Sequence, residues 1–238
     1  MINYDLLSTY GPKMLWGLVV TLQLVLTSAF AGFLLALPLA LARNSNSRWL
    51  SWPARFYISF FRGTPLLAQL FLVYYGVSQI RLGLQDLGLW WFFKDSYFCA
   101  VFAFTINTAA YQAETLRGAL SSLPKGQIEA AKALGLGKWV SLAKVQMPQA
   151  MVLALRPLGN ELVLSFKASA IASIVTVPEL MQATKLAFSR SFDFEVYLWA
   201  AALYLILVES IRRVWGVLER HLTRHTRTAA ALVPATAH

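Results

Sequence analysis

Charge is scarce in this sequence. Only 13% of its 238 residues are Asp, Glu, Lys or Arg, whereas 58% are hydrophobic, a composition outside the range of soluble globular domains and within that of membrane proteins. Acidic residues are scarcer still, 11 against 21 Lys and Arg, for a formal net charge of +10. An excess of that size suits a polyanionic partner in a soluble protein. Here the basic residues fall in short blocks flanking apolar runs, which orients a membrane protein and calls for no nucleic acid. Cysteine is almost absent: Cys99 stands alone inside an apolar run, so no intrachain disulfide forms. At the N-terminus Asp5 precedes Lys13 and no basic segment leads a short apolar core, so no cleaved signal is expected.

Catalytic constellations are missing as well. A phosphate-binding loop requires Gly five residues ahead of the Gly of a Gly-Lys-Ser/Thr set. The nearest approach, Gly137-Lys138, has Lys132 upstream and Trp139 following, so this chain is not expected to hydrolyse ATP. His221 and His225 are four apart but lie in a basic tail without a carboxylate or thiol partner, which reads as a solvated pair and not a metal site. No nucleophile-base-orienter set and no paired carboxylates point to catalysis.

What the sequence has is apolar spans. Met14 to Ala42 carries no charge and is long enough to cross a hydrocarbon core of about 30 Å with tilt. Ser28, Gly32, Ala36 and Ala40 recur every four residues along it, a stripe of small side chains against which another helix packs closely. Arg43, Arg48 and Arg55 follow in a Ser/Asn-rich loop, which places that side in the cytoplasm. A second span begins near Phe56, breaks at Arg62-Gly63-Thr64-Pro65 and continues to Ile80, with Thr64 as N-cap and Pro65 at the first helical position of the restart. On the residues alone the break is either a structural kink or part of a transport path. Trp90-Trp91-Phe92-Phe93 reads as an external aromatic belt. A third span runs from Ser96 to Ala113, with Asn107, Tyr111, Glu114 and Gly118 on one face; Glu114 with Arg117 is either a paired interfacial group or a functional one.

The fourth span starts around Met147 and is far more polar, carrying Arg156, Pro157, Asn160, Glu161 and Lys167. Charges at membrane depth face a bundle interior or an aqueous path, so this span is the candidate pathway lining, unless an Arg156–Glu161 or Glu161–Lys167 pair simply holds helices together. The run between Ala168 and Pro178 is too short to cross and is expected to be re-entrant or interfacial. Val196 to about Val217 forms the fifth span, with Glu209 as its buried exception. Residues 228–238 are expected to be a disordered tail. Arg43, the hairpin lysines described next and Arg212, Arg213, Arg220, Arg224 and Arg227 then lie inside, while Asp86, Asp95, Glu179, Asp193 and Glu195 lie outside. Five spans with N-terminus out and C-terminus in satisfy that asymmetry.

One stretch interrupts the apolar pattern, PKGQIEAAKALGLGKWVSLAKVQMP from Pro124 to Pro148. Ile128, Ala131, Ala133 and Leu134 give a short apolar face, Gly135 with Gly137 permits a sharp turn, and Lys125, Lys132, Lys138 and Lys144 line the outside. The pattern predicts helix, turn, helix, two short helices suited either to docking outside the membrane or to lying at the interface without a partner.

Glu129-Ala130-Ala131, three residues, Gly135, nine residues, then Val145-Gln146-Met147-Pro148 resembles the EAA loop of ABC importer permeases, with Met147 where Leu is usual, a volume-conserving change. Phe61-Arg62-Gly63-Thr64-Pro65 and Ala110 to Gly118 resemble segments of the polar amino-acid group of that family, of the histidine/lysine/arginine/ornithine permease M-subunit type. Gly159-Asn160-Glu161 with Lys167 does so too, whereas Ala168-Ser169-Ala170 departs from the usual Asp-Ser/Thr-Ser type.

The resemblance covers roughly Leu15 to Arg220. It implies an all-α integral membrane subunit of five transmembrane helices, the transmembrane domain of a type I ABC importer over residues 1–227, in a bacterial inner membrane. It implies that Glu129, Ala130, Ala131, Gly135, Lys125, Lys132 and Pro148 couple to an ATPase subunit present in two copies, which holds ATP and Mg, while this chain binds no cofactor. The further partners implied are a second related permease subunit, a solute-binding protein, membrane lipid and an amino-acid substrate, expected to be basic. Asn160, Glu161, Glu114 and Lys167 are the candidate pathway residues. The competing class is an ion- or proton-coupled secondary transporter in which Glu114, Glu161 and Lys167 relay protons, opposed by the lack of an inverted repeat in five spans.

Overall fold

The computed structural model describes residues 4–223, and its regular elements are all helical. Arg224, His225, Arg227 and the tail 228–238 lie outside the described residues. In chain order come α1 (Tyr4–Arg43), α2 (Arg48–Gly63), α3 (Leu66–Phe71), a π turn (Leu72–Gly76), and the short α4 (Val77–Gln79), α5 (Arg81–Asp86) and α6 (Trp90–Phe93). They are followed by α7 (Ser96–Ser121), α8 (Lys125–Ala133), α9 (Lys138–Ser141), a second π turn (Leu142–Gln146), α10 (Met147–Ala168), a 3-10 segment (Ser169–Val175), α11 (Leu180–Ser191) and α12 (Glu195–Leu222).

The first helix starts at Tyr4, well ahead of the uncharged run, and passes through Pro12 and Pro38 without ending. Its small-residue stripe does what close packing requires. Ser28 Oγ donates to the Val101 carbonyl of α7 at 3.3 Å, and a Cβ at Gly32 would lie 3.2 Å from the Thr105 carbonyl oxygen and the Ala109 nitrogen. Ala36 and Ala40 bury completely against Ala113, Leu116 and Leu120. One core therefore runs along the α1–α7 seam, and α10 completes it with Ala150, Ala154 and Leu158.

Lys138 to Val175 forms one continuous helical run, so the fourth span begins nine residues before Met147 and the second arm of the hairpin is its extension, not a separate short helix. That run and Leu6–Arg43 are long and apolar enough to cross a membrane; α2 with the Leu66–Gln79 segment makes a third candidate crossing, bent by 105° at its break. With 26 and 28 residues, α7 and α12 are long enough for a core of about 30 Å at 1.5 Å per residue; α12 carries more charge, and α7, whose charges are Glu114 and Arg117, is less apolar.

Four expectations are corrected. Arg48 and Arg55 lie within α2 and not in a loop, because Trp49, Trp52, Phe56 and Phe60 form an exposed apolar face that makes the segment amphipathic; Trp52, Phe56 and Phe60 stack in sequence. Glu209 is not buried: it accepts from Arg213 at 2.7 Å and pairs with Arg212 at 2.6 Å on the open side of α12. Glu179 is no loop acid. It is fully buried, caps α11 through the Met181 and Gln182 amides and accepts from Tyr204 at 2.9 Å. The segment after Ala168 extends α10 as a 3-10 helix and reverses at Thr176, which adopts φ +63. From there α11 packs back on α1 so tightly that a Cβ at Gly17 would sit 3.0 Å from the Glu179 backbone.

Candidate functional site

The broken helix sets up the site. A residue before proline is pushed toward extended backbone and proline donates no hydrogen bond, which favours a stop at Thr64-Pro65, although α2 itself runs through Pro53. Thr64 (φ −113, ψ 145) and Pro65 (φ −62, ψ 134) are both extended. The capping differs from the expected one. Pro65, not Thr64, is the residue ahead of α3, and the Thr64 hydroxyl turns back to donate to the Phe60 carbonyl at 2.8 Å.

Breaking a helix orphans carbonyls, and in a membrane each must find a partner. Gln69 supplies it. One turn beyond Pro65, its side chain leans back toward the helix start, as helical side chains do. Its amide nitrogen reaches the Phe61 carbonyl at 2.9 Å, the Thr64 carbonyl at 3.1 Å and Thr64 Oγ1 at 2.8 Å. Asn107 on α7 closes the network, donating to Gln69 Oε1 at 2.9 Å and to the Phe61 carbonyl at 3.2 Å. Tyr111 donates to the Arg62 carbonyl at 3.4 Å, and the Arg62 guanidinium lies 5.3 Å from the centre of the Tyr111 ring. Gln69, within the motif Phe61 to Leu70 at the break, has no role assigned from sequence; its signal is a lone amide in the apolar run Leu66 to Phe71.

A cleft of about 280 Å³ opens beside this network between the break, α7 and α10, lined by Thr64, Asn107, Tyr111, Glu161 and Ser165 with Phe104 and Leu164 as apolar walls. Glu161 is half-buried and makes no ion pair among the described residues. Neither pairing anticipated for it forms: Arg156 instead binds Glu219 at 3.0 Å, on the side of α10 facing α12. Of the other candidate pathway residues, Asn160 and Lys167 are exposed and outside the lining, and Glu114 is held elsewhere. Its Oε1 accepts from Arg117 Nε at 3.1 Å and Nη2 at 2.7 Å, while Arg43 Nε contacts Oε2 at 3.0 Å. That last contact is a charge pair off the hydrogen-bonding direction. Two guanidinia on one carboxylate bind the end of α1 to α7.

The basic hairpin forms a second surface. Gly135 takes φ +74, the Leu136 amide donates to the Ala131 carbonyl at 3.0 Å and the Gly135 amide to the Lys132 carbonyl at 2.9 Å. This is the paired closure that ends a helix at a left-handed glycine. Gly137 has ordinary backbone. Ala131 is buried, whereas Glu129, Ala130, Lys125, Lys132 and Pro148 are exposed, and Leu134 and Trp139 project at 79% and 78% exposure. An apolar pair beside a turn, ringed by charge, is a docking face in form.

A helical membrane subunit with a polar cleft at a broken helix and a projecting basic hairpin is a transport subunit. Residues 18–224 match the family described as binding-protein-dependent transport system inner membrane component, and the chain belongs to that family. It is 42% identical to the octopine transport system permease protein OccM of Rhizobium radiobacter, over 88% of this chain and 89% of the relative. It is 32% identical to the histidine/lysine/arginine/ornithine transport system permease protein HisM of Salmonella typhimurium, over 93% and 97%. The crystal structure of an amino acid ABC transporter with histidines contains a chain of the same fold, with TM-score 0.80 and 31% identity over 93% of this chain and 99% of that one. The protein is thus an inner-membrane permease subunit of a bacterial ABC amino-acid importer and not an ion-coupled transporter; the subunit is a transport component, not an enzyme by itself.

Proposed function

We propose that this subunit forms the translocation pathway of an importer for basic amino acids, together with a second related permease subunit. The observation that carries this reading is the Glu161 carboxylate, which faces a cleft of about 280 Å³ without an ion-pair partner among the described residues. A cationic amino acid leaving water needs compensating charge, and an unpaired carboxylate beside neutral groups such as Asn107, Tyr111 and Thr64 offers it. Arg156 and Glu114, with their own partners, leave Glu161 available.

Five spans, with the N-terminus outside and the C-terminus in the cytoplasm, put the hairpin 124–148 on the cytoplasmic side. There Glu129, Ala130, Ala131 and Gly135 enter a cleft of an ATPase subunit, two copies of which hold ATP and Mg, with Lys125, Lys132 and Pro148 at the margin. A solute-binding protein delivers substrate from the opposite side. The names of the relatives support an amino-acid cargo, and those naming histidine, lysine, arginine and ornithine support a basic one.

The test is uptake by the complex reconstituted in vesicles at subsaturating arginine, lysine or histidine. Glu161→Gln, nearly isosteric but uncharged, is expected to reduce uptake about tenfold, the worth of one charged hydrogen bond, while assembly with the ATPase is retained. Equal uptake by both proteins would show that selectivity lies outside this cleft.

A further inference from the structure

The cytoplasmic half of α12 carries an open groove that the transport path does not use. It encloses about 550 Å³ and is lined by Arg156, Arg212, Arg213 and Arg220 against Glu209 and Glu219. Four arginines face two carboxylates, so every acid is already engaged and positive charge remains. The arginine side chains stay wet: Arg156, Arg212 and Arg213 are 80%, 71% and 78% exposed despite their ion pairs. Gly216 lies in the middle of the lining, and a Cβ there would meet nothing within 4 Å, so the floor of the groove is open.

A second observation says what fits. Leu198, Leu205, Glu209, Arg212 and Gly216 fall within a sector of about 60° on α12, taking 100° per residue. Leu198 and Leu205 are 71% and 70% exposed, while Val196, Ala200 and Leu207 on the opposite face are buried. One helix face therefore runs from exposed leucines, past Glu209 with its two arginine partners, into the arginine cluster. From Leu198 to Arg212 the face covers about 21 Å, so the leucines lie on the hydrocarbon side of the arginines.

We propose that this groove binds the phosphate headgroup of an anionic phospholipid, whose acyl chain lies along Leu205 and Leu198. Arg212 and Arg213 hold the phosphate, Gly216 provides room for it, and Arg156 and Arg220 close the sides. The assignment to the cytoplasmic leaflet rests on the five-span orientation proposed above; the binding itself does not.

The test uses the assembled complex of this chain with its permease and ATPase partners, purified in detergent and titrated with phosphatidylglycerol or phosphatidylcholine while bound lipid is counted by native mass spectrometry. Wild type is expected to retain phosphatidylglycerol selectively, and Arg212→Gln/Arg213→Gln to hold it roughly ten- to thirty-fold more weakly. Gly216→Leu, which fills the groove without changing charge, is expected to lose the lipid as well. Inorganic phosphate at millimolar concentration should not displace it, because the leucines contribute; displacement would identify a free-anion site and overturn the proposal. Equal retention of the two lipids would overturn it too, as would cross-linking of a Gly216→Cys variant to another permease subunit, which would make the face a protein interface. Because the readout is lipid retention, it stands whether or not Glu161 selects the substrate.

Discussion

Asn107 Nδ2 donates to Gln69 Oε1 at 2.9 Å, and this bond ties α7 to the first turn after the helix break. Both side chains also reach the Phe61 carbonyl, which α2 leaves unpaired where it stops. Gln69→Leu keeps the volume and removes every donor, so the Phe61 and Thr64 carbonyls lose partners in a low-dielectric setting. The expected loss is on the order of 2 kcal/mol, between membrane hydrogen-bond values and the cost of unsatisfied buried groups. Thermal unfolding of the purified complex checks it; a melting temperature matching wild type would mean the carbonyls are satisfied some other way.

Gly135→Val tests the hairpin. At φ +74 a β-branched residue is strained by about 1–2 kcal/mol, too little to unfold a membrane bundle but enough to reshape an exposed turn. Membrane insertion should be unchanged, and transport should be lost or ATP hydrolysis should proceed without substrate. Normal substrate-stimulated transport by this variant would refute the coupling role.

Glu179→Ala withdraws the acceptor from the Met181 and Gln182 amides and from the Tyr204 hydroxyl at once. A loss on the order of 3 kcal/mol is expected, with Glu179→Gln milder because one oxygen remains to cap α11. Protease susceptibility of the α10–α11 reversal in the two variants would rank them; equal resistance would exclude the cap as an anchor.

Topology has a direct readout. A reporter fused after His238 should behave as cytoplasmic, and one inserted near Gln85 as external. The reverse pattern in whole cells would rule out the five-span orientation.

What could be read from the sequence follows from the range of each interaction. The Ser28, Gly32, Ala36, Ala40 stripe was legible because its period alone defines a face, and α7 packs on it. So was the turn at Gly135, where a single φ decides the matter. The break at Gly63-Thr64-Pro65 was legible as a break, but its 105° bend and its Gln69 clamp depend on α7, across 38 residues of chain. The Arg156–Glu219 pair spans 63 residues, so local spacing favoured Glu161 instead. Arg48 and Arg55, beside a Ser/Asn-rich stretch, read as loop because the amphipathic face of α2 needs a membrane to be meaningful. Glu179 is a charged residue at a proline turn, and the return of α11 onto α1 buries it.

The unbroken run from Lys138 to Val175 gives the subunit a lever. Glu161 lies 23 residues above Lys138, about 35 Å at helical rise. A tilt of only about 10° at the hairpin end therefore sweeps the carboxylate sideways by about 6 Å, more than the width of a water molecule. The π turn Leu142–Gln146 and Pro157 lie along that run, so a small angle at the Lys138 end reaches the cleft to the degree that these two points stay straight.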